Sequence, residues 1–317
     1  QTLFFPRKST ISGDCRPDYA ENIGAFRMKK RTIITARSIG FCFGVTKAVE
    51  LAKKILDKHK CLVSLGDLVH NDLVMTELKE KGMRVVTSIS EIKGCPFIIR
   101  SHGLPPDILE KVKKQTSIIY DATCPFVKKV QNLIRVLSAD KNFIFLVGDS
   151  AHPEIKAMKK IAGKNCTIVN PQSNTDFSYI KAARWAIIGQ TTLSLNLYRT
   201  AITRILKRIP AEKITIFNTI CPVSIERQSE ALKLAGNVDL LIVVGGRKSS
   251  NTEKLVLTGK KINKNTILVE TPEEVKKLSF ANFQKIGIIS GASTDVSCIK
   301  EILRILRNHP AQKNHRG

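Results

Sequence analysis

The 317-residue chain has no apolar run long enough to cross a bilayer, so no membrane-embedded role is expected. None of its eight cysteines forms a C-x-x-C pair, and their wide spacing is unlike a small secreted disulfide scaffold. A reducing, cytoplasmic setting is expected instead. Aromatic residues are scarce, at 6%, and do not interleave with basic ones. That argues against a nucleic-acid partner. No nucleotide fingerprint is present. The segment Gly245-Gly246-Arg247-Lys248-Ser249 looks like the end of a phosphate-binding loop, but Ile242 stands where the first glycine is required and Arg247 directly precedes the lysine.

Acidic residues are also few. Lys and Arg number 52 against 27 Asp and Glu, a formal net charge of +25 with a pI near 9.9. The excess is spread along helical stretches as lysine pairs such as Lys53-Lys54, Lys113-Lys114 and Lys128-Lys129, which read as solvated helix faces. Such a surface could steer an acidic electron-donor protein by long-range attraction. Residues 1–27 show no repeating pattern and precede Met28-Lys29-Lys30-Arg31, which reads as a natural start; they are expected to be an extension. Asp14, Asp18 and Glu21 weigh against a transit peptide, which leaves a plastid location only as the alternative to the cytoplasm.

What the chain does have is one design written three times. Ile39-Gly40-Phe41-Cys42-Phe43-Gly44-Val45, Asp121-Ala122-Thr123-Cys124-Pro125-Phe126-Val127 and Asn218-Thr219-Ile220-Cys221-Pro222-Val223-Ser224 each follow an apolar, β-branched run. Each leads into a helical pattern, as with Val127, Val130, Ile134 and Leu137. A threefold internal repeat follows, with units over 28–122, 123–216 and 217–308 and a frayed tail over 309–317. A cysteine where a loop enters a helix meets unpaired N–H groups and the positive end of the dipole, which favour thiolate, the metal-binding form. Cys42, Cys124 and Cys221, packed about one axis, would present three sulfurs to one metal centre.

Strands alternate with helices throughout, which predicts an α/β fold with parallel sheets. In such sheets ligands bind beyond the carboxyl ends of the strands. Those ends carry Val69-His70-Asn71, Ser101-His102, His152-Pro153-Glu154, Gln190-Thr191-Thr192, Ser249-Ser250-Asn251 and Ala292-Ser293. With the three cysteine strands they make nine ends facing one pocket. Imidazole, hydroxyl, amide and backbone N–H donors suit a diphosphate. Glu154 is the one carboxylate among the His-Pro-Glu, Gln-Thr-Thr and Ser-Ser-Asn groups. Cys61 and Cys166 read as strand-core residues; Cys15, Cys95 and Cys298 read as incidental, and His59, His309 and His315 as exposed.

These motifs, in order from about Thr32 to Ile305, resemble the 4-hydroxy-3-methylbut-2-enyl diphosphate reductase family. The resemblance implies a trefoil-like arrangement of three α/β domains around a 4Fe-4S cluster held by Cys42, Cys124 and Cys221. It implies that His70, Asn71, His102, His152, Ser249, Ser250, Asn251 and Ser293 hold an allylic diphosphate substrate. Glu154 and Thr191 would handle protons, with Thr191 also touching substrate. A ferredoxin or flavodoxin would supply electrons. The chain departs from the family pattern at Ser224, where threonine is usual, and at Asp295, where proline is usual. Two other readings stand beside it: a zinc hydrolase with three cysteine ligands and an open fourth position, and a basic RNA-binding α/β module.

Overall fold

The computed structural model describes residues 31–173, 177, 180, 182–209 and 213–308; the expected extension over 1–27 and tail over 309–317 lie outside the described residues. The chain begins with β1 (Thr32–Thr35), α1 (Phe43–His59), β2 (Leu62–Leu65), α2 (Asp72–Glu80), β3 (Met83–Val86), β4 (Phe97–Ile99), α3 (Pro106–Lys113) and β5 (Ile119–Asp121). It continues with α4 (Pro125–Ala139), β6 (Phe143–Val147), α5 (Pro153–Ala162), β7 (Cys166–Val169), β8 (Trp185–Gly189), α6 (Leu195–Leu206) and β9 (Ile214–Phe217). The last part holds α7 (Pro222–Ala235), β10 (Leu240–Val244), α8 (Ser250–Lys260), β11 (Thr266–Val269), α9 (Pro272–Lys276), β12 (Lys285–Ser290) and α10 (Val296–Asn308).

The strands form three four-stranded parallel sheets, ordered β3-β2-β4-β5, β7-β6-β8-β9 and β11-β10-β12-β1. Written from the same edge, the three orders are equivalent. The threefold α/β arrangement expected from the repeats is therefore the architecture, and each sheet ends on the strand that leads into a cysteine. The edge strands β3, β7 and β11 are the members not counted among the nine strand ends.

One strand sits differently from the linear division of the repeats. β1, placed at the start of the first repeat, pairs with β12 from Thr32↔Lys285 to Thr35↔Ile288 and so completes the third sheet. Repeat spacing fixes what each unit contains but not which sheet edge a strand joins, and β1 supplies the hydrogen-bond partner that β12 would otherwise lack on that side. The exchange ties the two ends of the described chain together.

Each sheet is covered on both faces, giving two apolar clusters per sheet. This explains why β6, β8 and β10 read as unbroken apolar runs rather than alternating ones: they are buried on both sides. Helix α10 packs Ile299, Ile302 and Leu306 into the third core, where Cys298 is also buried. Asp295 makes local hydrogen bonds at the loop before α10. Its Oδ1 accepts the N–H of Ser297 at 2.6 Å and also the Ser297 hydroxyl, fixing the entry to α10.

Two cysteine readings are corrected. Cys61 is not a strand-core residue and Cys95 is not incidental, because they form a disulfide, Cα atoms 5.8 Å apart, beside the starts of β2 and β4. Neighbouring parallel strands begin at the same pole, which a sequence separation of 34 conceals. Cys166 opens the edge strand β7 and is only half-buried, its thiol directed at the Gly163 carbonyl 3.3 Å away.

Candidate active site

The three cysteines occupy one structural position. Cys42, Cys124 and Cys221 are the N-cap residues of α1, α4 and α7. Each donates its backbone N–H to a carbonyl at the tip of its own sheet: Cys42 to Ala292 at 2.8 Å, Cys124 to Ser101 at 3.0 Å and Cys221 to Thr191 at 2.8 Å. The same hydrogen bond, made three times, hangs each cysteine beside the carboxyl end of the adjacent strand and points all three toward one cavity.

Close approach at the centre depends on Gly44. A Cβ there would stand 2.7 Å from Cys124 Sγ, so a side chain at this position would push the sulfur away. The loop before Cys42 is held by Arg227, buried on α7, which donates to the Gly40 carbonyl at 2.7 Å and the Ser290 carbonyl at 2.8 Å. Gly40 has a φ of +84°, a conformation that suits glycine.

Helix N-termini do not by themselves make the thiols of Cys124 and Cys221 acidic. Burial raises the pKa of Cys124 and Cys221, and outweighs the backbone N–H groups of Phe126 and Val127 on the first and of Ser224 and Val223 on the second. For Cys124 and Cys221 the expected thiolate preference is thus reversed in the metal-free chain, because desolvation disfavours the charged form more than the helix ends favour it. A coordinated metal would supply the missing positive charge.

The cavity gathers the predicted polar residues with one exception. His70, His102, His152, Glu154, Thr191, Ser249, Ser250, Asn251 and Ser293 line it together with the three cysteines. Asn71 does not. It caps α2, its Oδ1 accepting the Val74 N–H at 3.0 Å, and its Nδ2 donates to the Ser293 carbonyl at 2.8 Å, so its hydrogen bonds are spent within the protein. Ser293 answers by donating its hydroxyl to the His70 carbonyl at 3.0 Å, joining loops of the first and third sheets.

Three imidazoles, one from each of three strand ends, cluster on one wall. The rings of His70 and His102 are 4.8 Å apart, and those of His102 and His152 are 5.4 Å apart. Burial holds all three below the usual imidazole range, His152 at about 4, with repulsion from the nearby Arg100 adding to it for each, and repulsion from neighbouring imidazoles for His102 and His152. They are neutral near pH 7. His152 Nδ1 accepts the N–H of Glu154 at 3.2 Å, which in the neutral ring places its proton on Nε2.

Glu154 is fully buried, and burial pushes its carboxyl up to about 7 against two hydrogen bonds from Thr191. The Thr191 N–H reaches Oε1 at 2.7 Å and its hydroxyl reaches Oε2 at 2.8 Å. Buried polar atoms here lack protein partners. His102 Nδ1 and Asn251 Nδ2 are both unsatisfied, although the Ser224 hydroxyl donates to Asn251 Oδ1 at 3.4 Å and orients that amide. Such orphaned groups in a cavity call for a polar ligand.

The sequence pattern of the LytB protein family matches residues 33–307. The chain belongs to the LytB protein family. A 4-hydroxy-3-methylbut-2-enyl diphosphate reductase of Dictyoglomus thermophilum is 37% identical over 275 residues, which cover 86% of this chain and 95% of that protein. The enzyme of the same name from Geobacter metallireducens is 34% identical, covering 89% of this chain and 99% of its own length. Among solved structures, the E-1-hydroxy-2-methyl-but-2-enyl-4-diphosphate reductase of Plasmodium falciparum superposes with a TM-score of 0.80 at 28% identity, covering 89% of each chain. The resemblance seen in the motifs is therefore a family relationship spanning all three sheets.

Sequence reasoning missed several residues of this LytB-family site. Ser101 and Thr192 line the cavity. Thr192 also accepts from Gln190 Nε2 at 2.8 Å and meets the Ser250 hydroxyl at 3.3 Å. Their presence within the quoted motifs was the only available signal. The apolar liners Val45, Val69 and Val127 have no signal distinguishing them from core residues.

Proposed function

We propose that this LytB-family chain carries out the reductive dehydroxylation of 4-hydroxy-3-methylbut-2-enyl diphosphate to isopentenyl and dimethylallyl diphosphates, the last step of the non-mevalonate isoprenoid pathway. The carrying observation is the threefold cysteine arrangement: three N-cap thiols, hung from equivalent carbonyls, lining one cavity with the histidines and Glu154. The reading gives Cys42, Cys124 and Cys221 to a 4Fe-4S cluster. The residues fit one. The donors are all sulfur, Gly44 leaves room beside Cys124, and among the described residues no three His, Cys, Asp or Glu side chains converge as a single bound ion requires. This favours a cluster over one zinc ion. When bound to three thiolates, such a cluster supplies one-electron redox chemistry and an iron free of protein ligands.

The protein's own part is binding, orientation and proton supply. The substrate's diphosphate meets neutral His70, His102 and His152, the hydroxyls of Ser249, Ser250 and Ser293, and the unpartnered Asn251 amide. Neutral imidazoles leave the empty cavity without buried positive charge, and an arriving diphosphate raises their pKa so that they gain protons as it binds. The overall change consumes two electrons and two protons: the allylic C–O bond breaks, oxygen leaves as water and one carbon gains hydrogen. Glu154, its carboxyl pushed up to about 7 by burial, holds a proton at the cavity wall, and Thr191 fixes the carboxyl in place.

Electrons come from an external one-electron carrier, a ferredoxin or flavodoxin, since no nucleotide fingerprint is present. A cytoplasmic location belongs to the same reading. Protein purified without oxygen should be brown, contain iron and acid-labile sulfide, and convert the allylic alcohol diphosphate with a chemical reductant. A colourless zinc protein without sulfide would overturn the proposal.

A further inference from the structure

Asn251, in the first turn of α8, lines the cavity with an amide whose two ends have opposite chemistry. Its Oδ1 only accepts hydrogen bonds and its Nδ2 only donates them. Diphosphate oxygens are acceptors, so the amide attracts such a ligand through Nδ2 and repels it through Oδ1. The two ends have nearly the same shape, and the cavity wall alone does not select between them. Selection comes from the side of the amide that meets protein. The Ser224 hydroxyl donates to Oδ1 at 3.4 Å, and buried Nδ2 is left without a protein partner.

A serine hydroxyl can donate or accept, so the direction of its bond to Asn251 is open until a third group is counted. That group is Gln228, one turn further along α7, whose Nε2 donates to the Ser224 oxygen at 3.1 Å. Among the described residues the Ser224 side chain bonds only to Gln228 and Asn251. If it accepted from both, its own hydrogen would be stranded, so the bond from Gln228 directs that hydrogen to Oδ1. All three side chains are buried, and Gln228 itself does not line the cavity. The spacing of four places Gln228 and Ser224 on one face of α7. Ala231 and Ala235 of α7 share an apolar cluster with Leu255 of α8, which holds that face against Asn251.

We infer that Gln228 is a substrate-positioning residue, which sets, through Ser224, the end of the Asn251 amide that meets the diphosphate. The inference deepens the proposed function and rests on it for the identity of the ligand. The Gln228 N–H, the Ser224 O–H and the Asn251 N–H all point the same way along the chain, toward the cavity. Hydrogen bonds aligned in this manner polarise one another, which strengthens the last donor for an anion. A buried amide at a helix interface costs free energy unless it is bonded, and this bond gives Gln228 its place there.

The test uses holoenzyme purified without oxygen, with inorganic pyrophosphate as probe, at pH 8.5. That pH lies above the value of about 7 to which full burial pushes Glu154, so a carboxyl introduced at position 228 is ionised. Gln228→Glu then turns the donor into an acceptor: Ser224 gives its hydrogen to the new carboxylate, and Asn251 is left to turn Oδ1 toward the ligand. Pyrophosphate should bind about tenfold or more weakly. Gln228→Met keeps the bulk and leaves Ser224 free to donate to Asn251, and should weaken binding less than about threefold. Ser224→Ala breaks the link, so adding Gln228→Glu to it should cost less than about threefold beyond Ser224→Ala alone. KM for the allylic diphosphate should follow the same pattern with kcat within about threefold. Iron content equal to wild type shows that each variant is folded. Equal weakening by Gln228→Met and Gln228→Glu would assign the effect to packing, and weakening that persists in the Ser224→Ala background would assign it to direct repulsion. Either result overturns the inference, as does unchanged affinity of Gln228→Glu. Wild type that binds pyrophosphate but does not turn over the allylic diphosphate would sink the dehydroxylation reading alone, whereas wild type that binds no pyrophosphate would overturn both.

Discussion

Replacing Glu154 by glutamine keeps the side chain's shape and a hydrogen bond from the Thr191 N–H while removing its ionisable proton. Two consequences can be worked from its burial. The carboxyl ionises at about 7 in the folded chain against its ordinary 4.5. Between those pH values the folded state holds more protons than the unfolded state, so stability is greatest below 4.5 and is lost as pH rises through about 7. At about 1.4 kcal/mol per pH unit the full loss is on the order of 3 kcal/mol. Urea denaturation of metal-free protein should show this fall between pH 5 and 8 as the difference between wild type and Glu154→Gln, because His70, His102 and His152, held below the usual imidazole range, change stability in the opposite direction in both proteins. In loaded enzyme, an acid role requires the protonated form. Wild-type turnover should therefore decline as pH rises through about 7, and Glu154→Gln should lose roughly two orders of magnitude or more, the usual scale for a general acid. The variant should still bind substrate and keep its iron. Turnover of Glu154→Gln within about threefold of wild type with reductant in excess would refute the reasoning and move proton delivery to His152 or to water ordered by Thr191.

Cys124→Ser should lose bound iron, measured after anaerobic purification, whereas Cys166→Ser, on the edge strand β7, should retain it. Gly44→Ala should fold normally, since alanine favours helix, yet lose iron because its Cβ meets the Cys124 sulfur; full iron content would show that the approach is not needed. Arg227→Met strands the Gly40 and Ser290 carbonyls and should lower stability to denaturant by about 2–4 kcal/mol. Thiol counting under denaturing conditions should give two more reactive groups after reduction than before, from Cys61 and Cys95; an unchanged count would remove the disulfide.

Much of this site was legible because its signals are local. A cysteine between a β-branched run and a helical pattern, written three times, fixes the N-cap position of Cys42, Cys124 and Cys221 without knowledge of any long-range contact. The polar strand ends were readable for the same reason, as parallel strands present their carboxyl ends to ligands whatever their order. Other features depended on which parts of the chain become neighbours. The pairing of β1 with β12, the Cys61–Cys95 disulfide and the commitment of Asn71 to Ser293 all join residues whose sequence separation carries no periodic signature. The ionisation of the site also belonged to tertiary structure. Sequence position placed the thiols at helix N-termini, which lower a pKa, but only packing sets the desolvation that raises Cys124, Cys221 and Glu154 and keeps the histidines neutral. Identity and local pattern follow from covalent order, whereas burial is a property of everything that packs around a group.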